Sequence, residues 1–125
     1  MTTEDEARTV VEAFNACITE HDLDRLGALM TDDHTFVDSG GRAWHGRDDC
    51  LSAWTGFFSA FPDYRNVLEV LTLRDDVVVV TGHSVCEEPA LSGPAIWTVR
   101  IEAGHVAEWR VHDDTDAARS ELGIA

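Results

Sequence analysis

Pro62 divides this sequence into two stretches with different hydrophobic periods, and that change narrows the possible folds more than any other feature. Before it, Ala7, Val10, Val11, Phe14, Cys17 and Ile18 recur at steps of three and four, the stripe of a helix packed on a core. Thr3 and Glu6 have capping-box spacing at its start. The run His21–Asp24 interrupts it, and Leu23, Leu26, Leu29 and Met30 suggest a short second helix. Cys50, Leu51, Trp54, Phe57, Phe58 and Phe61 mark a third, which Pro62 stops because proline has no backbone N–H to donate. Between the second and third, His34–Asp38 reads as a short strand and Ser39-Gly40-Gly41 as a turn.

After Pro62 the chain reads as sheet. Tyr64–Arg74 and Val77–Glu87 are two long strands about the turn Asp75-Asp76. Glu88–Gly93 is a loop, and Ala95–Glu102 and His105–Asp113 form a second hairpin about Ala103-Gly104. Asp114-Thr115 is placed to cap a last helical turn ending at Leu122-Gly123. Helices segregated from strands predict an α+β fold over residues 1–125, with one curved antiparallel sheet wrapped on three helices. A pocket is expected in the cone between them. Val67, Leu68, Val70, Leu71 and Val77 to Val80 are apolar at both strand parities. Both sheet faces therefore have apolar area to hide, which predicts a homodimer paired through the outer face.

Charge sets the partners. Nine Lys+Arg stand against 24 Asp+Glu, a formal net charge of −15, and none of the nine is Lys. That excludes nucleic acid, whose binding needs clustered basic residues, and disfavours an anionic membrane surface. The start, MTTEDEARTV, lacks the basic and apolar regions of a signal peptide. Three cysteines without paired spacing suggest reduced thiols and a cytoplasmic location. The six histidines show no metal-ligand spacing, so no metal is expected.

The segment Asp32–Asp38, the pair His45-Gly46, AFPDYR at residues 60–65 and GHVAEWRVHDDTDAARSELG at residues 104–123, in that order and spacing, resemble the SnoaL-like branch of the nuclear transport factor 2-like superfamily. The resemblance covers nearly the whole chain. It implies a cone fold, commonly dimeric, and a small, mostly apolar ligand of polyketide-like kind. Members include polyketide cyclases, ketosteroid isomerases, epoxide hydrolases and dehydratases; others bind without catalysis. The expectation is a cofactor-free enzyme using carboxylate acid/base catalysis, with a non-catalytic ligand-binding module as the alternative.

The resemblance points first to Asp114, at the spacing of the acid/base aspartate of SnoaL-like cyclases and in the Trp109, Arg110, Asp114 register of limonene-type epoxide hydrolases. Inside an apolar cone its pKa would be raised by desolvation, letting it take and return a proton. The alternative is a plain helix N-cap. Asp113 should face the other way and be solvated. Asp38 matches the general base of ketosteroid isomerases; the alternative is a turn carboxylate. That enzyme's oxyanion donors correspond here to Phe14 and Trp97, both apolar rings. Trp97 also stands where the cyclases have an assisting histidine, and Gly82 and Ser84 stand where the hydrolases have Arg and Asp. His112 shares a strand face with Asp114 and Arg110, so a proton-shuttling pair is possible there. His34 and His83 lie on strands that can point inward. Trp54, Phe58 and Trp97 are expected as pocket walls for a flat apolar ligand.

Overall fold

A computed structural model describes residues 2–124. In chain order it contains α1 (Glu4–Glu20), α2 (Leu23–Ala28), β1 (Met30–Val37), β2 (Ala43–His45), α3 (Arg47–Ala60), β3 (Arg65–Arg74), β4 (Val77–Val85), β5 (Gly93–Glu102), β6 (His105–Asp113) and α4 (Asp116–Leu122). Thr3 caps α1 as expected, its hydroxyl accepting the Glu6 N–H at 3.2 Å. The chain leaves α1 through His21, held in the left-handed region at φ 57°. Six strands form one sheet in the order β2-β1-β6-β5-β4-β3.

Two features were not legible beforehand. The turn after Asp38 returns the chain into the short strand β2, antiparallel to β1. And β1 pairs with β6 in parallel, because the chain crosses from α2 onto the far edge of the hairpin formed later. This puts the first strand beside the last and closes the sheet about α1.

The concave face follows from alternation. Val78 and Val80 on β4, Trp97 and Val99 on β5, and Trp109 on β6 are all under 2 % exposed and belong to one core. Into this face α1 inserts Val11, Phe14, Cys17 and Ile18, each fully buried. Phe14 stacks on Trp109 with ring centroids 4.7 Å apart. Burying each large apolar side chain contributes about 1.5–3 kcal/mol, so this one helix accounts for much of what holds the sheet in its curve.

The curvature has a local cause. The β3/β4 register shifts between Leu68 and Val70, a bulge that bends the strand. Asn66 and Leu68 therefore face inward with Ser84 and Gly82, and beyond the bulge Leu71 and Leu73 face inward with Val80 and Val78. The bulge sets which side each apolar residue of β3 takes: Leu68, Leu71 and Leu73 face inward, and Val67 and Val70 face outward beside His83 and Thr81. Gly82 lies where β3 crosses close: a Cβ there would run into the Val67 carbonyl oxygen.

The outer face is partly covered by the chain itself. Arg74, at the end of β3, donates to the carbonyls of Leu122 and Gly123 at 3.0 and 2.8 Å. Ile124 borders a small cleft together with Val70 and Val79. The segment after β6 thus runs back across the sheet to β3, and Val79 and Ile96 are buried on that outer face. Val70, at 57 % exposure, is the large apolar side chain it leaves bare among the described residues. Among those residues no helix is long and apolar enough to cross a membrane.

Gly82→Ala should lower stability by about 1–3 kcal/mol, the cost of forcing extra volume into a packed site. Urea denaturation checks it; an unchanged midpoint would contradict the close crossing of β3 over β4.

Candidate ligand site in the cone

The sheet and α1 enclose an interior that is aromatic in its depth and polar at its open end. Trp97 on β5 and Trp109 on β6 are diagonal neighbours on the concave face, given the pairs Trp97–Val111 and Val99–Trp109. His34 on β1 continues the row on the next strand, 5.7 Å from the Phe14 ring. Trp54 on α3 closes it from the helical side, in contact with Phe36 and Phe58. Phe58 in turn stacks on His21 at 4.3 Å.

This interior holds polar atoms without partners. The indole N–H groups of Trp54, Trp97 and Trp109 and the Nε2 of His34 are buried and make no hydrogen bond. His34 Nδ1 lies 2.6 Å from the Val106 carbonyl. A carbonyl only accepts, so Nδ1 carries the proton and Nε2 is a bare acceptor. Burial, the largest influence, pushes the His34 pKa below its ordinary value, with the Val106 bond opposing. The imidazole is therefore held neutral. Each unmet buried polar group costs roughly 1–3 kcal/mol, so four within one close-packed aromatic interior are a cost that the packing shown does not offset.

At the open end the inward face carries two pairs, Asn66 with Ser84 across β3 and β4 and Ala95 with Asp113 across β5 and β6. A cleft of about 110 Å³ opens there, between Ser39, Tyr64, Ser84, Ala95, Val111 and Asp113, and the Pro89–Leu91 turn overhangs it. Tyr64 lies within 3.2 Å of the Ser84 hydroxyl, which donates to Asn66 Oδ1 at 2.8 Å. This chain was not found from the sequence. Its members are distant along the strands and meet only through the β3/β4 register.

The expected site residues divide between the two faces. Phe14, His34, Trp54, Phe58 and Trp97 are buried in the interior, but as close-packed core: none of the five lines the open cleft. Asp38, one step beyond β1, keeps the inward parity of His34 and Phe36. Its Oδ1 accepts the N–H groups of Gly40 and Arg42, each at 2.9 Å, which is turn chemistry, and its Oδ2 is without a partner among the described residues.

Asp114, Arg110 and His83 belong to the outer face, and His112 has the same strand parity but also borders the open cleft. Asp113 pairs with the inward Ala95 and His112 with Ile96, so the strand parity puts Asp114 outside, the reverse of what a catalytic role in the cone requires. Its carboxylate is gripped by Arg119, with Nε at 2.6 Å and Nη2 at 2.9 Å. Those hydrogen bonds hold its pKa below the ordinary carboxylate value, against a smaller opposing effect of burial. The expected rise is thus a fall. The capping alternative fails too, since Thr115 caps α4 by accepting the Ala118 N–H at 3.1 Å. Arg119, five residues on, was the signal overlooked. His112 pairs with Thr98 at 2.9 Å and not with Asp114; burial, then Arg110, lowers its pKa. His83 faces Glu69 at 3.3 Å, and Arg110 is exposed beside the Thr98 pair position. Among the described residues no group of three His, Cys, Asp or Glu side chains could hold a metal ion.

Residues 11–109 match the family model of the SnoaL-like domain. No curated protein matches the chain. Solved structures share its fold at low identity. A candidate polyketide cyclase from Sinorhizobium meliloti is 18 % identical with a TM-score of 0.76, over 83 % of this chain and 94 % of that one. TerC co-crystallised with polyporic acid is 15 % identical with a TM-score of 0.75, over 94 % and 98 %. A hypothetical protein of ketosteroid isomerase-like fold from Catenulispora acidiphila, in complex with trimethylamine, is 16 % identical with a TM-score of 0.71, over 100 % and 96 %.

His34 is neutral in the fold, so its contribution to stability is present above the unfolded value of 6.5 and is lost as pH falls below it. Denaturation midpoints of the native chain and His34→Gln, compared from neutral pH downward, should show a steeper acid loss in the native chain. Parallel curves would contradict a buried neutral imidazole.

Proposed function

Because the chain belongs to the SnoaL-like domain family, we propose that it binds a small, mostly apolar aromatic molecule inside the cone, against Trp97, Trp109, Phe14 and Trp54. The observation that carries this is the set of buried, unpartnered polar atoms in an otherwise aromatic chamber: three indole N–H donors and the His34 Nε2 acceptor. A flat ring satisfies the walls, and its polar substituents meet the unpaired atoms. The ligand-bound structures of the same fold, one with polyporic acid and one with trimethylamine, support the reading for the fold as a whole. The interior is closed here, so entry requires the Pro89–Leu91 turn and Tyr64 to yield at the open end. Three free cysteines suit a reducing compartment, and the cytoplasm is part of the same proposal.

Titration with 2-naphthol, followed by nuclear magnetic resonance, tests this. The indole N–H signals of Trp97 and Trp109 should move, and Trp97→Phe, which keeps a ring and loses the N–H, should weaken binding severalfold. Saturable binding that leaves both signals still would contradict the site, and no binding across a panel of such aromatics would contradict the function.

A second reading, acid/base catalysis on the bound molecule, is favoured by Asp38. It has the inward parity, and one of its two oxygens is uncommitted, whereas Asp114 is neutralised by Arg119 outside the cone. On an enolisable ketone, Asp38→Asn should lower turnover by about 10²–10⁴-fold, the usual worth of a positioned base, and Asp114→Asn should leave it unchanged. The reverse result would restore Asp114.

Pairing of two copies through the outer face belongs to the proposal as well, around Val70, which α4 leaves bare. So small an apolar patch predicts a dimer that forms only as concentration rises. Light scattering that shows one mass at every concentration, monomer throughout, would contradict it.

A further inference from the structure

The outer face of the sheet is crossed by a segment that the binding reading does not use. The strand pairs set the rows of that face: Thr72, Val79, Thr98 and Arg110 in one, Val70, Thr81, Ile96 and His112 in the next. α4 starts just past Asp114, beyond the end of β6, and its last carbonyls reach Arg74 at the far end of β3. It therefore runs diagonally over both rows, with Glu121 near enough to His112 to act on its charge. Ile96 is fully buried there, and Val79 and Thr98 are 8 % and 9 % exposed. Strand neighbours alone do not seal a side chain on an open sheet face, so α4 is what covers them.

Yet α4 is fastened more than packed. None of its residues is buried. An open groove of about 560 Å³ lies beside it, between Asp114 and Arg119 on one side and Val70, Thr81 and His83 on the other. Its hold on β3 is polar. Arg74 donates through both terminal nitrogens to the carbonyls of Leu122 and Gly123, at 3.0 and 2.8 Å, which are acceptors that the end of a helix leaves open. The Arg119–Asp114 pair lies within the segment and sets its direction as it leaves β6. A helix of seven residues has little stability of its own, so releasing the one guanidinium releases the segment.

We propose that α4 is a latched strap over the face through which two copies pair: while Arg74 holds it, it covers Ile96 and Val79, and when it lifts, a second copy takes its place. The proposal rests on the reading of the outer face as a pairing surface. Lifting α4 joins Ile96, Val79 and Thr98 to the exposed Val70 in one band. Charge identifies the occupant. The residues before Pro62 carry twelve acidic side chains against four arginines, whereas all five arginines after it stand on the outer face. Two chains of −15 therefore repel through their helical sides. The outer face offers both signs, His83 with Glu69 and Arg100 with Glu102, as a self-complementary contact requires.

Sedimentation velocity over a concentration series, together with amide hydrogen exchange, tests this on the native chain, Arg74→Ala and Arg74→Ala/Val70→Asp. A hydrogen bond from a charged donor is worth about tenfold in an equilibrium. Arg74→Ala should therefore speed exchange of the Ala118 to Leu122 amides and bring the monomer–dimer midpoint to about tenfold lower concentration. Adding Val70→Asp, at a position that is exposed in the monomer, should restore the monomer. In the native chain the same α4 amides should exchange faster as concentration rises, a readout that needs no variant. A loosened α4 with an unchanged or weaker dimer would overturn the strap and leave the pairing face standing. So would α4 amides that keep their protection in Arg74→Ala, or that keep or gain it as the native chain dimerises. A dimer undiminished in the double variant, or monomer at every concentration in all three proteins, would overturn the pairing face and the strap together.

Discussion

The seating of one helix in one curved sheet is the constraint on which everything else here depends. Phe14 of α1 stacks on Trp109 of β6, and the same helix face buries Val11, Cys17 and Ile18 in the core shared with the concave face of the sheet. A sheet exposes polar backbone only at its edges, so its concave side must be filled by side chains, by a helix or by a ligand. Here α1 fills most of it. What it leaves is a row of aromatic rings whose polar atoms are sealed from water, and that residue of unmet hydrogen-bonding capacity distinguishes this interior from an ordinary core.

Curvature makes the arrangement possible, and it is set by backbone as much as by burial. The bulge in β3 switches the inward parity after Leu68, and Gly82 allows the two strands to approach at that point. The bulge therefore separates two functions along one strand. Leu71 and Leu73 beyond it join the apolar core, while Asn66 before it faces the polar mouth. The interior so formed is graded, from rings at depth to hydroxyls, an amide and carboxylates at the rim, which suits a ligand with one polar end.

Helix positions and strand pairs were legible because each rests on local periods and turn residues: the Thr3 cap, the stop at Pro62, the hairpins at Asp75 and Ala103, both at positive φ. The inward direction of Trp97 came instead from the resemblance, through the strand register of the family. Three things were hidden because they depend on distant pairing. The β3 bulge changes parity in mid-strand, so simple alternation did not tell which of its apolar residues face in and which face out. The parallel pairing of β1 with β6 is invisible to any local pattern. And Asp114 looked catalytic because its motif was read without Arg119, whose guanidinium takes the carboxylate once α4 turns back over the outer face. Tyr64, Asn66 and Ser84 each look ordinary in sequence; only register makes them a chain.

The claim at the centre of this account is that the buried indole and imidazole nitrogens wait for a guest. High-resolution electron density for the protein, crystallised with and without an aromatic ketone, tests it most directly. The account predicts density within hydrogen-bond distance of Trp97 Nε1, Trp109 Nε1 or His34 Nε2: ordered water in the free protein, replaced by the added molecule in the complex. A dry interior that stays closed around those atoms in both crystals, with the ketone bound elsewhere or not at all, would contradict it.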